Sequence, residues 1–408
     1  MRLLFLHQNL PGQFRHLLSH YAQHRPGQVV GLGELARVRD NIRNPISGVQ
    51  LAGYEMPKNA LPTHPWLDSL ELAVQRGQAV YRALVDLKNR GFTPDVILAH
   101  PGWGEALFIK DAFPACRLIS FCEFFYQAQG QDIGFDPMMP SSEEEKLQLR
   151  IRNMVQLQTL STMDKGISPT QWQRQSYPAV FRDHIEVIHD GIDTDIVKPN
   201  KSACFQLPDG SWLSSNNEVI TFVNRNLEPC RGFVSFMRAL PELLRARPLA
   251  QVLIVGGDDI SYGKGLTDMT WRQAMLNEVG SELDLRQVHF LGKIPYAQYL
   301  CMLQISTVHV YLTYPFVLSW SMLEAMAVGC IVVGSRTAPV EEVIHHNENG
   351  YLVDFFDKND LVNTVATICN SIDSQSLVKV AARQTILDRF DLKNCCLPKQ
   401  VALLENGC

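Results

Sequence analysis

The sequence predicts an α/β protein of two doubly wound parallel-sheet domains that face each other across a cleft. Three observations predict it. Short apolar runs rich in β-branched residues alternate with helix-period segments along the whole chain, the pattern of parallel strands joined by helical crossovers. At 408 residues the chain is too long for one ordinary core and suits two domains of similar size. A polar, turn-rich stretch from Asn200 to Asn217 separates two such series, so the expected domains are 1–198 and 199–385. Residues 386–408 are expected to form a C-terminal helix that packs back towards the first domain.

Composition narrows the functions. A hydrophobic content of 46% and a charged content of 19% are those of a folded globular chain. The net charge of -5 argues against nucleic acid as the main partner, because polyanion binding needs an excess of Lys and Arg. The ten cysteines form no Cys-x-x-Cys pair, and Cys116, Cys122 and Cys330 sit in apolar runs as small core residues do. Free thiols of this kind fit the cytoplasm. The opening MRLLFLHQN has too short an apolar run for a signal peptide, and no stretch has the length of a membrane span. The expected location is cytoplasmic, with peripheral association at the inner face of a membrane left open.

In the first half, Arg2 to Leu6 reads as a buried strand, and Gln8 to Gln13 as a Pro-Gly turn into a helix from Phe14 to Gln23. Gly12 either lets a ligand approach the backbone or simply turns the chain. Val29 to Leu32 is a second strand, and Trp66 to Arg90 a long amphipathic helix. Asp95 to His100 (DVILAH) is a strand ending on His100, with Gly102 and Gly104 just beyond. A histidine at the C-terminal tip of a central strand either bonds a neighbouring carbonyl or faces a ligand. Leu118 to Tyr126 reads as a strand that carries Glu123 among aromatics, and an acid in that company is paired or lines a pocket. A long polar loop, Gln127 to Pro140, precedes a helix opened by a Ser142–Glu145 capping box. Strands at Gly166 to Pro169 and Ile185 to Ile188 complete the domain.

The second half opens on VITFVNRNLEPCRGF, with Arg225 at a strand end and Arg231 before Gly232 and a helix. Two arginines at a strand-to-helix turn, beside a helix N-terminus, make a site for a diphosphate. Strands follow at Val252 to Val255 and Val288 to Leu291, the latter leading into Gly292, Lys293 and Ile294. The strand Val308 to Leu312 then runs into Tyr314 to Gly329, YPFVLSWSMLEAMAVG. Its helix has Ser319 or Ser321 as a cap and Glu324 as its single acid. Glu324 either accepts hydrogen bonds from ligand hydroxyls or pairs with a nearby arginine. Ile331 to Gly334 and Tyr351 to Val353 are the last strands.

These motifs, in this order, resemble those of the retaining nucleotide-sugar glycosyltransferases of family four, also called glycosyl transferases group 1. That resemblance implies the GT-B fold of two Rossmann-like domains. It places His100 against the transferred sugar, and Arg225 and Arg231 at the family's Arg and Lys positions on the donor diphosphate. Gly12 matches the glycine loop after the first strand, and Gly292 to Ile294 the turn whose backbone recognises the donor base. Glu324 matches the second acid of the family's Glu-x7-Glu pair, the ribose ligand. The first acid would fall on Phe316, and Val317, Leu318 and Ser319 replace the usual Gly-Phe-Gly, leaving their backbone N–H groups to face the diphosphate and sugar.

The implied activity is retaining transfer from a UDP- or GDP-linked sugar to a glycan, lipid-linked or protein acceptor, in polysaccharide, glycolipid or other glycoconjugate assembly. It implies no metal and no cofactor, the nucleotide sugar being a substrate. Phe316 keeps two alternatives in view. One is a non-catalytic relative that binds nucleotide or glycan for a partner transferase, and the other is a different GT-B enzyme such as an epimerase.

Overall fold

The computed structural model describes residues 1–43, 47–57 and 64–406. The chain forms two compact units, Met1–Gly191 with Cys396–Cys408, and Ile192–Cys395. The division therefore falls within the turn-rich segment His189 to Thr194 instead of after residue 198. The reason is local bonding: the Ile192 N–H donates to Phe390 O at 2.8 Å, and the Leu392 N–H to Ile192 O at 2.9 Å. Residues 386–395, expected in the terminal helix, belong to the second unit for the same reason.

The first unit is a seven-stranded sheet in the order β3-β2-β1-β4-β5-β6-β7. Its strands are β1 Leu3–Leu6, β2 Val29–Glu34, β3 Gln50–Tyr54, β4 Val96–Ala99, β5 Arg117–Phe121, β6 Lys165–Ser168 and β7 Ile185–Val187. Every pairing is parallel. Such strands are buried on both faces, and the period of two in β1 splits them between two cores. Leu3 and Phe5 join Leu17, Tyr21 and Leu98 on one side, while Leu4 and Leu6 join Val80, Leu84 and Ile109 on the other. Each of these fully buried side chains stabilises the unit by about 1.5–3 kcal/mol. The terminal helix Leu397–Glu405 seals the first core with Leu403 and Leu404. Arg117 holds its end, donating from Nη1 to Leu403 O at 2.7 Å.

Among the elements of this unit that the sequence pattern does not announce are the helix Leu35–Arg43 and the edge strand β3. β3 has neither β-branched residues nor alternation, and it is exposed or half-buried until Tyr54. A third difference matters more for the site. The strand expected to reach Tyr126 ends at Phe121, and the last ladder bond runs from the Cys122 N–H to Ile167 O at 2.7 Å. Glu123 is thereby released from the sheet at its C-terminal edge. The capping box forms as expected, with Ser142 and Glu145 opening the helix Glu143–Thr162.

The second unit holds a six-stranded parallel sheet in the order β12-β11-β10-β13-β14-β15. Its strands are β10 Val219–Asn226, β11 Gln251–Gly257, β12 Val288–Gly292, β13 Val308–Tyr311, β14 Ile331–Ser335 and β15 Tyr351–Val353. The polar stretch that precedes it folds as an antiparallel hairpin, β8 Cys204–Gln206 with β9 Trp212–Ser214. In both sheets the chain winds outward from a central strand and then resumes on its other side, which creates a switch point between β1 and β4 and another between β10 and β13. Crevices at such points, outside the carboxyl ends of the strands, are where doubly wound sheets bind ligands. Among the described residues no helix is long and apolar enough to cross a membrane.

Candidate functional site

In the second unit, Arg231 straddles the switch point. β10 ends on Asn226, the chain turns through Pro229–Arg231, and the helix Phe233–Ala246 begins after Gly232. Only glycine fits there: its φ is +74°, and a Cβ would lie 2.2 Å from Leu312 Cβ. That close approach brings Arg231 against the end of β13. Its Nη1 donates to Thr313 Oγ1 at 3.0 Å and to Val317 O at 2.7 Å. Both bonds use one nitrogen of the guanidinium fork.

Phe316 lies beneath that fork. Its ring is buried, with the Arg231 guanidinium carbon 5.1 Å from its centroid and the Tyr262 ring 4.9 Å away. Tyr262 also approaches Arg231 at 5.2 Å and the exposed Arg225 at 5.9 Å. The position that holds a sugar-binding acid in the resemblance is thus the aromatic floor of a cationic site. The loop bearing Tyr262 is fixed by Glu228, whose buried Oε2 accepts N–H bonds from Ser261, Tyr262 and Gly263 at 3.2, 3.1 and 3.2 Å.

Beyond Val317, the Ser319 N–H donates to Tyr311 Oη at 2.7 Å, and the Ser319 hydroxyl caps the helix Trp320–Ala327 by accepting from the Ser321 N–H at 3.3 Å. Of the two serines considered as caps, Ser319 is the one that acts. Leu318 and Ile294 pack against the core of this unit, and Gly292 turns the chain ahead of Ile294 with a φ of +63°. Glu324 is met by two tyrosines rather than an arginine. Tyr296 Oη donates to its Oε1 at 2.7 Å and Tyr299 Oη to its Oε2 at 2.6 Å. Burial pushes this carboxyl above the usual carboxylate range, and the two hydroxyls pull it partly back. Tyr299 is buried, whereas Tyr296 is 52% exposed, so the Oε1 side of Glu324 lies next to solvent-facing groups.

In the first unit, three adjacent strands each end on a group of the second cluster. His7 follows β1, His100 follows β4, and Glu123 stands two residues past β5. The His100 ring lies flat on Trp103, with centroids 3.7 Å apart and planes at 8°. Its Nδ1 accepts from the Gly102 N–H at 3.0 Å, so Nε2 carries the proton and donates to Glu123 Oε2 at 3.2 Å. Gln13 Nε2 donates to the other carboxylate oxygen at 3.0 Å. Burial pushes the Glu123 carboxyl up, but the hydrogen bond from His100, with that from Gln13, outweighs it and holds the group below its ordinary value. His7 is driven the other way, down to about 3, chiefly by burial, and it stays neutral. The space a Cβ on Gly12 would need is filled by the His7 ring, 2.6 Å away at Cε1, and the Gly12 φ of +49° also favours glycine.

The structure therefore gathers Arg225, Arg231, Phe316 and Val317 at one switch point, with Ser319, Glu324 and Ile294 on further elements of the same unit. Gly12 and His100 share the edge of the other sheet. Residues that pattern reading does not single out complete both clusters: His7, Gln13 and Trp103 in the first unit, and Glu228, Tyr262, Tyr296 and Tyr299 in the second. The tyrosine pair has a faint sequence signal, an i, i+3 spacing at the start of the helix Tyr296–Ile305. Among the described residues no group of His, Cys, Asp or Glu is arranged to hold a metal ion.

Comparison with known proteins agrees with this architecture. Residues 28–197 match the family model described as Glycosyl transferase family 4 group, and residues 209–385 the model described as Glycosyl transferases group 1. Among curated proteins, the chain is 26% identical over 196 residues to the D-inositol 3-phosphate glycosyltransferase of Corynebacterium efficiens, covering 47% of this chain and 44% of that one. It is 24% identical over 221 residues to the enzyme of the same name from Mycolicibacterium smegmatis, covering 53% of this chain and 48% of that protein. The matches thus span less than half the length of these relatives. Among solved structures, Anabaena HepE in complex with UDP and glucose superposes with a TM-score of 0.66 at 17% identity over 100% of both chains. Sucrose-phosphate synthase from Thermosynechococcus elongatus superposes with a TM-score of 0.72 at 16% identity over 99% of this chain and 98% of that one. Matched half by half to these two family models, and folded as two doubly wound parallel-sheet units like its structural neighbours, the chain belongs among the glycosyltransferases of the GT-B fold.

Proposed function

We propose that the protein is a retaining, metal-independent hexosyltransferase that moves a sugar from a UDP- or GDP-linked donor to an acceptor hydroxyl on a glycan, lipid-linked or protein substrate. One observation carries this reading: Arg231 bridges β10 and β13 at the switch point, with the exposed Arg225 close by and the Ser319-capped helix following. Two guanidinium groups and a helix N-terminus meet the charge that builds on a leaving diphosphate. The bond from the anomeric carbon to the phosphate oxygen breaks, and a bond to the acceptor oxygen forms on the same face. The acceptor proton passes to the departing diphosphate, so no side chain needs to act as a nucleophile. The names of the curated relatives and the UDP and glucose complex of HepE support a nucleotide-sugar donor.

Glu324 fits the ribose hydroxyls in this scheme, with Tyr296 yielding the Oε1 side to them. Its raised pKa gives a test with a defined sign. A carboxyl that holds its proton more tightly when folded contributes most at acidic pH, and that contribution is lost as pH rises through the raised value. Glu324→Gln is expected to match or exceed the wild-type melting temperature at pH 7.5, with the difference closing towards pH 4. Its nucleotide affinity should fall about 10-fold or more, as expected for losing charged hydrogen bonds. A variant that melts lower at pH 7.5 and binds nucleotide normally assigns Glu324 to structure alone. The reading as a whole is tested by nucleotide release from a panel of UDP- and GDP-sugars, with the anomeric configuration of the product read by NMR. Release from none of the donors, or an inverted product, contradicts it.

A further inference from the structure

We propose that Glu123 is the residue of the first unit that receives a carbohydrate hydroxyl, with His100 and Gln13 orienting its carboxylate; this rests on the glycosyltransferase reading above. Three observations point to it. The first is the direction of the His100 proton. Because Nδ1 already accepts from the Gly102 N–H, the only ring proton is on Nε2, and that proton is committed to Glu123 Oε2 at 3.2 Å. A ligand hydroxyl therefore meets the carboxylate before it meets the imidazole.

The second is exposure. The Glu123 side chain keeps 25% of its surface open, against 7% for His100. His100 is clamped between Trp103 and the Gly102 N–H, whereas among the described residues the carboxylate accepts side-chain bonds from His100 and Gln13, which fill two of its lone-pair sites. Its remaining acceptor positions suit neutral O–H donors. The nearby acid Glu105 makes the contrast. It is 1% exposed and accepts from Tyr54 Oη at 3.1 Å, and burial raises its pKa; it has no open face.

The third is how firmly Glu123 is seated. It is outside the sheet ladder, yet its carbonyl accepts from Gln173 Nε2 at 2.6 Å, and Gln173 is itself fixed at the start of the helix Gln171–Ser176 by Thr170. A charged acceptor, locked at the carboxyl end of a strand beside a switch point, is a preorganised hydroxyl site. The second unit has an aromatic ring, Phe316, where the resemblance expects an acid for sugar hydroxyls. Glu123 is an acid suited to that chemistry at the carboxyl edge of the first unit's sheet.

The test is Glu123→Gln, which keeps an oxygen for the His100 proton and lets Gln13 turn its carbonyl to the new amide, but removes the charge. With a donor that the wild type turns over, transfer kcat/KM is expected to fall about 30- to 100-fold, with the nucleoside diphosphate Kd and the melting temperature unchanged. Donor hydrolysis without acceptor identifies the hydroxyl's source. A parallel fall in hydrolysis assigns it to the transferred sugar, and preserved hydrolysis with a raised acceptor KM assigns it to the acceptor. Transfer within 3-fold of wild type, while Arg231→Ala sharply lowers nucleotide release, overturns the proposal and leaves the glycosyltransferase reading standing. A wild type that releases nucleotide from no sugar donor overturns both.

Discussion

Arg231→Ala is expected to lower nucleotide-sugar turnover by about 10²- to 10³-fold, the loss typical of removing one preorganised charge from a transition state and equal to about 3–4 kcal/mol. The size follows from where the guanidinium sits. It is buried, floored by Phe316 and flanked by Tyr262, and one nitrogen satisfies Thr313 and Val317. The remaining donors are therefore held in place before any ligand arrives. Removing the side chain also frees the segment from Thr313 to Val317, so a drop in melting temperature accompanies the loss of activity. Arg231→Lys separates the two effects. It keeps the charge that the resemblance expects at this position but cannot bond Thr313, Val317 and a phosphate from one planar fork. About a 10-fold loss of turnover is expected, with nucleotide binding still measurable. Equal and near wild-type kinetics in both variants contradict the diphosphate assignment.

His100→Ala is expected to cut sugar transfer by about 10²-fold, within the range for groups that orient a reacting centre, while nucleotide affinity stays the same. Both hydrogen bonds of the ring stay within the first unit, to Gly102 and Glu123. What the variant loses is the proton that points the Glu123 carboxylate and the plate that lies on Trp103. Measuring transfer per folded molecule, beside calorimetric nucleotide affinity and a melting curve, distinguishes the outcomes. A lowered melting temperature with normal transfer makes His100 a packing residue only.

Much of the fold is legible in the sequence because parallel strands are buried on both faces. Runs such as Leu3 to Leu6, Val96 to Ala99 and Ile331 to Val333 announce themselves without alternation. β3 does not, since an edge strand with glycine and little burial carries no such signal. In the site, Arg225, Arg231, His100 and Glu324 stand out because each is a polar residue just beyond or beside an apolar run. Their partners are less visible. Tyr262 lies in a glycine-rich loop whose position depends on three N–H bonds to Glu228, and no local pattern foretells that distant pairing. Glu324 presents two readings in one dimension, a ligand-facing acid or an ion pair. The tyrosines that resolve its surroundings come from a helix separated from it by β13. Phe316 is legible as a missing acid, but its use as the floor under Arg231 requires the side-chain contacts.

Calorimetric titration of UDP, GDP and the matching nucleosides into the wild-type protein and the Arg225→Ala, Arg231→Ala double variant is the sharpest test of a diphosphate site at these two arginines. A nucleoside diphosphate is expected to bind the wild type at least about 100-fold more tightly than its nucleoside, a difference of about 2.7 kcal/mol supplied by the diphosphate. In the double variant that advantage should vanish. Equal affinity for nucleoside and diphosphate in the wild type, or an undiminished diphosphate advantage in the double variant, would contradict the diphosphate site.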